Sequence, residues 1–296
     1  MGADFYELGL IGYPLSHSLS PVIHKTALDA VGFAGEYRLY PISPENTETD
    51  LSALLARVRD GKIHGLNVTI PHKQTVIPLL DRLTAVAKDI GAVNTIYLQN
   101  GKLVGHNTDA QGFYAQIPIL FEGRYNFFPN TAIVLGAGGS ARAVCYILLK
   151  NGWNVFVAAR RLEQAKALVA GLKKHKKLSK TFQAVEFTSA GLASTLRLAK
   201  FVSMVVNTTP LGMHPKGNVT PWQEPPMLDT TTTVVYDLVY NPLETKLLQD
   251  IDDWGGVGIN GLGMLVEQAA LAFEIWTDEP APRELMYQAA ENALTP

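Results

Sequence analysis

The stretch Gly136-Ala137-Gly138-Gly139-Ser140-Ala141 constrains this chain more than any other. It follows an apolar run, Ala132-Ile133-Val134-Leu135, and opens a segment, 142–150, whose pattern predicts a helix. Strand, glycine-rich turn and helix form the context in which G-x-G-x-x-A reads as a dinucleotide-binding turn. The first glycine makes the tight turn, and the second lets backbone approach a pyrophosphate. The last small residue lets helix and strand pack closely, and the helix N-terminus offers N–H groups to the anion. Residue 136 lies too deep in the chain for everything before it to be a tail, so a second domain comes first.

The 296 residues suffice for two ordinary domains, and 47% hydrophobic against 18% charged residues favours a large core over disorder. A net charge of -2 gives no general attraction to nucleic acid or anionic membrane. The single cysteine, Cys145, excludes a disulfide framework and points to a reducing compartment. The first residues lack the basic and apolar regions of a signal peptide, so the expected location is cytoplasmic. The seven histidines show no metal-ligand spacing, and no metal is expected.

Residues 5–13 read as a buried strand, followed by a Ser/Pro-rich turn. Ser20 before Pro21 is a candidate N-cap for a helix over 22–31. A short strand at 37–41, a helix at 49–59 and a strand at 63–70 follow, and helices are expected to fill about 73–90 with a break at Pro78. Residues 94–98 and 102–106 read as a hairpin around Gln99-Asn100-Gly101. A helix at 109–120 is the natural linker. Strands at 131–136, 154–159, 184–187, 202–206 and 232–238 then alternate with helices, which predicts a parallel sheet. A short strand-like piece after Gly255-Gly256 and helices at 262–276 and 282–294 close the chain.

In the dinucleotide fold, the residue that meets the ribose stands at the tip of the second strand, about 20 residues beyond the glycines. Here that strand ends in Ala159-Arg160-Arg161, with no Asp or Glu at the tip. Two guanidiniums suit a 2′-phosphate, so NADP is preferred over NAD. Three further stretches place polar groups at strand ends: 67–73 (NVTIPHK), 91–95 (GAVNT) and 105–109 (GHNTD). Each alone reads as turn chemistry or a solvated lysine. The basic run at 173–177 reads as the solvated end of a helix. Cys145 reads as packed in the helix after the glycine-rich turn, and His17 and His72 as neighbours of the site.

Taken together, these stretches resemble the shikimate dehydrogenase family from end to end. The family's marks stand as HSLSP (17–21), NVTIPHK (67–73), GAVNT (91–95), NTDA (107–110), GAGGSARA (136–143), NTTPLGM (207–213), YDLVYNPLETKLL (236–248) and GLGMLVEQAA (261–270). Two departures stand out. The family's NTDG is NTDA here, with Ala110, and its Asn-Arg-Thr at the ribose tip is Ala159-Arg160-Arg161.

The resemblance implies an α/β protein of two domains. One is an N-terminal substrate domain, 1–109 with the C-terminal helices of 262–296 packing back on it; the other is a Rossmann NADP-binding domain at 110–261. It implies that Ser18 and Ser20 meet the substrate carboxylate and that Thr69, Asn94, Asp109, Tyr240 and Gln268 meet its hydroxyls. Lys73 is the implied acid/base, paired with Asp109. Gly136, Ala137, Gly138, Gly139, Ser140, Arg160 and Arg161 would hold the cofactor, with Leu238 and Gly261 beside the nicotinamide. The implied reaction is reversible NADPH-dependent reduction of 3-dehydroshikimate to shikimate, with the site between the domains and hinge closure over it. An NAD-linked quinate/shikimate dehydrogenase and a non-catalytic cofactor-sensing relative are the alternatives. A small-molecule substrate is the expected partner, with no nucleic acid or membrane, in a monomer or homodimer.

Overall fold

The computed structural model describes residues 5–121, 130–174, 181–199, 201–215, 217–222, 229 and 232–295. The chain divides into two compact units, residues 1–112 with 266–296 and residues 113–265.

In the first unit, β1 (Phe5–Gly12), β2 (Ala34–Pro41), β3 (Gly65–Val68), β4 (Arg82–Leu83), β5 (Thr95–Gln99) and β6 (Lys102–His106) form one six-stranded sheet, ordered β2-β1-β3-β5-β6-β4. Crossover helices α1 (Ser20–Ala30) and α2 (Thr47–Arg59) leave β1 parallel to both β2 and β3. β5 and β6 form the expected hairpin, antiparallel to each other, and β5 is also antiparallel to β3. Its turn uses Asn100 and Gly101 at φ 51° and 72°, the left-handed pair that an Asn-Gly hairpin favours. The apolar stripe of α2 (Leu51, Leu54, Leu55 and Val58) packs into one core with Leu66, Val68, Ile96 and Leu103.

Two local readings are corrected. Residues 73–90 are mostly not helical: a 3-10 turn at Ile77–Leu79 and the two-residue β4 precede α3 (Ala85–Ile90). The backbone there bonds across to β6 instead of along a helix. Asp81 N donates to Leu103 O at 3.1 Å and Thr84 N to Gly105 O at 2.9 Å, while the Asp81 carboxylate accepts Leu103 N at 2.7 Å. Ser20 is not the N-cap of α1 but its first residue; Leu19 holds the cap position and no side chain caps there. The Ser18 hydroxyl instead accepts Ser20 N at 3.3 Å, so the local side-chain bond comes from two residues earlier.

The helix α4 (Asp109–Leu120) carries the chain from one unit to the other. In the second unit, β7 (Thr131–Leu135), β8 (Asn154–Ala159), β9 (Phe182–Glu186), β10 (Met204–Asn207), β11 (Val234–Asp237) and β12 (Val257–Ile259) are ordered β12-β11-β10-β7-β8-β9. Every pairing is parallel. Helices α5 (Gly139–Lys150), α6 (Leu162–Lys173), α7 (Ser189–Ala199) and α8 (Lys246–Asp253) lie between strands in sequence. This is the doubly wound Rossmann order, whose switch point falls between β7 and β10. Every residue of β7 is buried, as a central parallel strand requires. Lys173 and Lys174 end α6, and the rest of the basic run at 173–177 lies outside the described residues.

The last two helices, α9 (Leu262–Thr277) and α10 (Arg283–Asn292), return the chain to the first unit. The Trp276 indole donates to Ile96 O at 3.1 Å and its ring lies over Gly65, where a Cβ would collide with it. Arg283 bonds Glu267 and Glu274 of α9, and α10 packs beside α1. Among the described residues, no helix is long and apolar enough to cross a membrane.

His24 of α1 is fully buried, stacked on the Tyr37 ring at 4.4 Å and tilted against Trp276 at 5.3 Å. Burial holds its pKa down at about 3. An unfolded histidine takes a proton below about 6.5, so between these values the unfolded chain binds more protons and stability falls as pH falls. His24→Phe, which keeps an aromatic ring, is expected to flatten this dependence by about 1.4 kcal/mol per pH unit across that window. Urea midpoints of both proteins from pH 7 to pH 4.5 measure it, and parallel curves refute it.

Candidate active site

The strand directions of the first unit bring its polar motifs to one edge of the sheet. Ser18 and Ser20 follow the C-terminal end of β1, and Thr69 and Lys73 follow that of its parallel neighbour β3. β5 runs the other way, so Asn94 at its start lies at the same edge, and β6 turns back so that Asp109 follows its end. Backbone bonds tie these ends together. Val68 N donates to Asn94 O at 2.8 Å, Asn94 N to His106 O at 3.0 Å and Val93 N to Lys73 O at 2.7 Å.

At this edge, Lys73 Nζ donates to Asp109 Oδ2 at 2.6 Å, with the two residues only 9% and 3% exposed. Asp109 opens α4, where a carboxylate is favoured by the helix dipole. Asn94 Nδ2 donates to the other carboxylate oxygen, Oδ1, at 2.9 Å, to Thr108 Oγ1 at 2.8 Å and to Gln268 Oε1 at 3.2 Å. Gln268 comes from α9, where Gly112 of α4 lies against its backbone. Lys73, Asn94, Asp109 and Gln268 therefore form one hydrogen-bonded cluster. Thr69 and Ser18 sit half-buried in the loops at the same edge, and Ser20 is buried as the first residue of α1. Tyr240 belongs to the other unit, half-buried after β11.

His72 is buried and engaged, with its ring nitrogens 2.6 Å from Ile42 O and 3.3 Å from Thr75 Oγ1, so it anchors the loop that carries Lys73. His17 is exposed.

In the second unit, Gly136 ends β7 at φ 110°, a conformation that favours glycine. Thr208, just past β10, donates both its N and its Oγ1 to Leu135 O, at 2.9 and 2.6 Å. A Cβ on Gly136 would stand 2.6 Å from that hydroxyl. Gly138, at the N-cap of α5, has nothing within 4 Å of where a Cβ would stand. The first turn of α5, Gly139-Ser140-Ala141, has N–H groups without intrahelical partners. This open cradle at a helix N-terminus fits a pyrophosphate. Ala159 is buried at the end of β8, while Arg160 and Arg161 are exposed beyond it. Arg161 occupies the N-cap of α6 without capping it. Leu238 and Gly261 meet directly, since a Cβ on Gly261 would collide with Leu238 O.

One residue that pattern reading passes over organises this end of the second sheet. The buried carboxylate of Asp237 accepts Asn207 Nδ2 at 2.8 Å, Val239 N at 3.0 Å and Thr245 Oγ1 at 2.7 Å. Burial lifts its pKa to about 6 against these bonds, which oppose the shift. Its signal was the YDLVYNP motif, where an acid inside an apolar strand end needs partners. Cys145 is buried in α5, and burial pushes its thiol up, so it is packed rather than reactive.

Residues 10–96 match the family described as the shikimate dehydrogenase substrate binding domain, and residues 261–291 the shikimate 5'-dehydrogenase C-terminal domain. The shikimate dehydrogenase (NADP(+)) of Caldanaerobacter subterraneus is 38% identical over 289 residues, covering 97% of this chain and 96% of its own. A crystal structure of a shikimate dehydrogenase in complex with NADP+ superposes with a TM-score of 0.82 at 34% identity, covering 100% of this chain and 99% of its own. Quinate dehydrogenase from Corynebacterium glutamicum, in complex with NAD, gives 0.82 at 31% identity over 98% of this chain and 100% of its own.

Gly136→Ala is expected to cost about 1–3 kcal/mol, because it forces a left-handed alanine against the Thr208 hydroxyl. A thermal melt unchanged from wild type would refute this reading of the turn.

Proposed function

The chain belongs to the shikimate dehydrogenase family, and we propose that it catalyses the reversible NADPH-dependent reduction of 3-dehydroshikimate to shikimate. The observation that carries this reading is the buried Lys73–Asp109 pair, set at a sheet edge among amide and hydroxyl groups. In this reading the first unit holds the ring substrate and the second holds the dinucleotide. Ser18 and Ser20 supply hydroxyl donors to the substrate carboxylate. Thr69, Asn94, Asp109, Gln268 and Tyr240 bond the ring hydroxyls.

NADPH, when bound, supplies a hydride to the ring carbonyl. Gly136, Ala137, Gly138, Gly139 and Ser140 hold its pyrophosphate, Arg160 and Arg161 its 2′-phosphate, and Leu238 and Gly261 flank its nicotinamide. Lys73 Nζ, an ammonium bonded to Asp109, donates a proton to the oxygen that becomes an alkoxide and recovers it in the reverse direction. Proton donation and charge stabilisation are its main work. Asp109 holds the ammonium in place and accepts from the same substrate hydroxyl.

The absence of Asp or Glu at the β8 tip supports NADP over NAD. Ala159 and Arg161 replace the Asn and Thr that the family places there, so recognition of the phosphate falls to the two guanidiniums, Arg160 and Arg161. The net charge of -2 and single cysteine fit a cytoplasmic enzyme with a small-molecule partner, as monomer or homodimer.

Lys73→Ala is expected to lower kcat by about 100-fold or more with a smaller change in KM, the scale of general acid–base catalysis. Near-normal turnover would remove Lys73 from the chemistry. Arg160→Ala should raise the KM for NADP about tenfold, the loss of one charge-assisted contact, with little effect on NAD. Comparing kcat/KM for shikimate and quinate with each nicotinamide separates this function from the quinate-linked, NAD-dependent one. NADPH binding without turnover on either ring would mark a cofactor sensor.

A further inference from the structure

Behind the Lys73–Asp109 pair runs a chain of buried hydrogen bonds whose direction is fixed at every step. It starts at Tyr37 on β2, which donates its phenol hydrogen to Asn67 Oδ1 on β3 at 2.8 Å. The other end of that amide, Nδ2, donates to the backbone carbonyl of Asn94 at 3.1 Å and reaches Thr95 Oγ1 at 3.4 Å. A carbonyl only accepts, so Asn67 cannot be turned over without placing oxygen against oxygen. Thr95 Oγ1, facing that donor, directs its own hydrogen to Asn94 Oδ1 at 3.0 Å. Thr108 N donates to the same oxygen at 2.8 Å. With Oδ1 held by two donors, Nδ2 of Asn94 must point at Asp109 Oδ1. Tyr37, Asn67, Thr95 and Asn94 are all less than a tenth exposed, so water does not substitute for a missing link.

We propose that Tyr37 and Thr95 are positioning residues. The Asn94 carbonyl and the Thr108 N–H orient the Asn67 and Asn94 amides, and the two hydroxyls complete the bonding of each amide oxygen, so that Asp109 receives a donor on each oxygen and holds the Lys73 ammonium in one place. An Asn94 amide turned the other way would set its oxygen against Asp109 Oδ1, and the carboxylate would swing from Lys73 or take up a proton. Thr95 bonds neither Lys73 nor Asp109 and acts through Asn94 and through Thr108, whose Oγ1 lies 3.4 Å from its own. The inference rests on the reading of Lys73 and Asp109 as the proton-handling pair.

The test is steady-state shikimate oxidation against pH with Thr95→Val, Thr95→Ser, Tyr37→Phe, Lys73→Ala and the Lys73→Ala/Thr95→Val double variant. Thr95→Val keeps the shape and loses the hydroxyl. It should lower kcat about fivefold, within the coupling range of residues in one hydrogen-bond network, move the acid limb of the kcat profile to higher pH and leave KM within twofold. Thr95→Ser should recover most of the loss, and Tyr37→Phe should shift kcat and the acid limb in the same direction. Adding Thr95→Val to Lys73→Ala should cost little more. Wild-type kcat and pH profile in both Thr95→Val and Tyr37→Phe overturn the relay while leaving the Lys73 assignment standing. So does a loss that Thr95→Ser does not recover, or one of equal size in the Lys73→Ala background. Wild-type turnover in Lys73→Ala overturns the assignment itself. Should Thr95→Val not fold, Tyr37→Phe decides alone.

Discussion

A lysine and an aspartate withdrawn from water 2.6 Å apart set the terms for the rest of the first unit. Taking both charges out of solvent is costly, and the pair is tolerable only when each remaining polar atom finds a partner. The fold meets that condition for the carboxylate by converging four chain segments. One follows β3, one precedes β5, one follows β6, and one comes from α9, far away in sequence. Their meeting point is the Asn94 amide, which bonds Asp109, Thr108 and Gln268 at once. A shift of any one segment would leave a buried donor or acceptor without a partner, a penalty of about 1–3 kcal/mol for each.

The second unit solves a related problem with one acid. Asp237 has no cationic partner among its bonds; it gathers an amide, a hydroxyl and a backbone N–H. These link the ends of β10 and β11 to the start of α8. Thr208 then links β10 to β7 by closing over Leu135 O. The glycine-rich turn is thus held from the side by a neighbouring strand, as well as by its own φ angles. Gly138, by contrast, faces open space. Tight backing beneath an open face is what a preorganised anion cradle needs.

The Rossmann half was legible in the sequence because its signals are local. β7, β8, β10 and most of β11 are short apolar runs, and the glycine-rich turn announces its own backbone. The β5–β6 hairpin was legible for the same reason, since Asn100-Gly101 prescribes the turn. The 73–90 region was not. Its apolar residues suit a helix, but its backbone partners lie on β6, which periodicity does not see. Ser20 was misplaced as a cap because Ser18, two residues earlier, competes for the same backbone. Lys73, Asn94 and Asp109 could be picked out as strand-end polar residues, yet only the resemblance joined them. Thr95 opens β5 and reads, with the rest of GAVNT, as turn chemistry. Only the structure shows where its hydroxyl goes.

The dependence of the first sheet on α9 has a consequence for how the chain is made. Trp276 covers Gly65 and bonds Ile96, and Gln268 completes the cluster at Asn94. A ribosome releases β1 to β6 long before either residue is synthesised, whereas the 113–265 unit is continuous and complete once its last strand emerges. The segment made first is therefore the one finished last. Its sheet waits, with one face uncovered, through the synthesis of an entire second fold, and that interval is when it is most exposed to wrong partners.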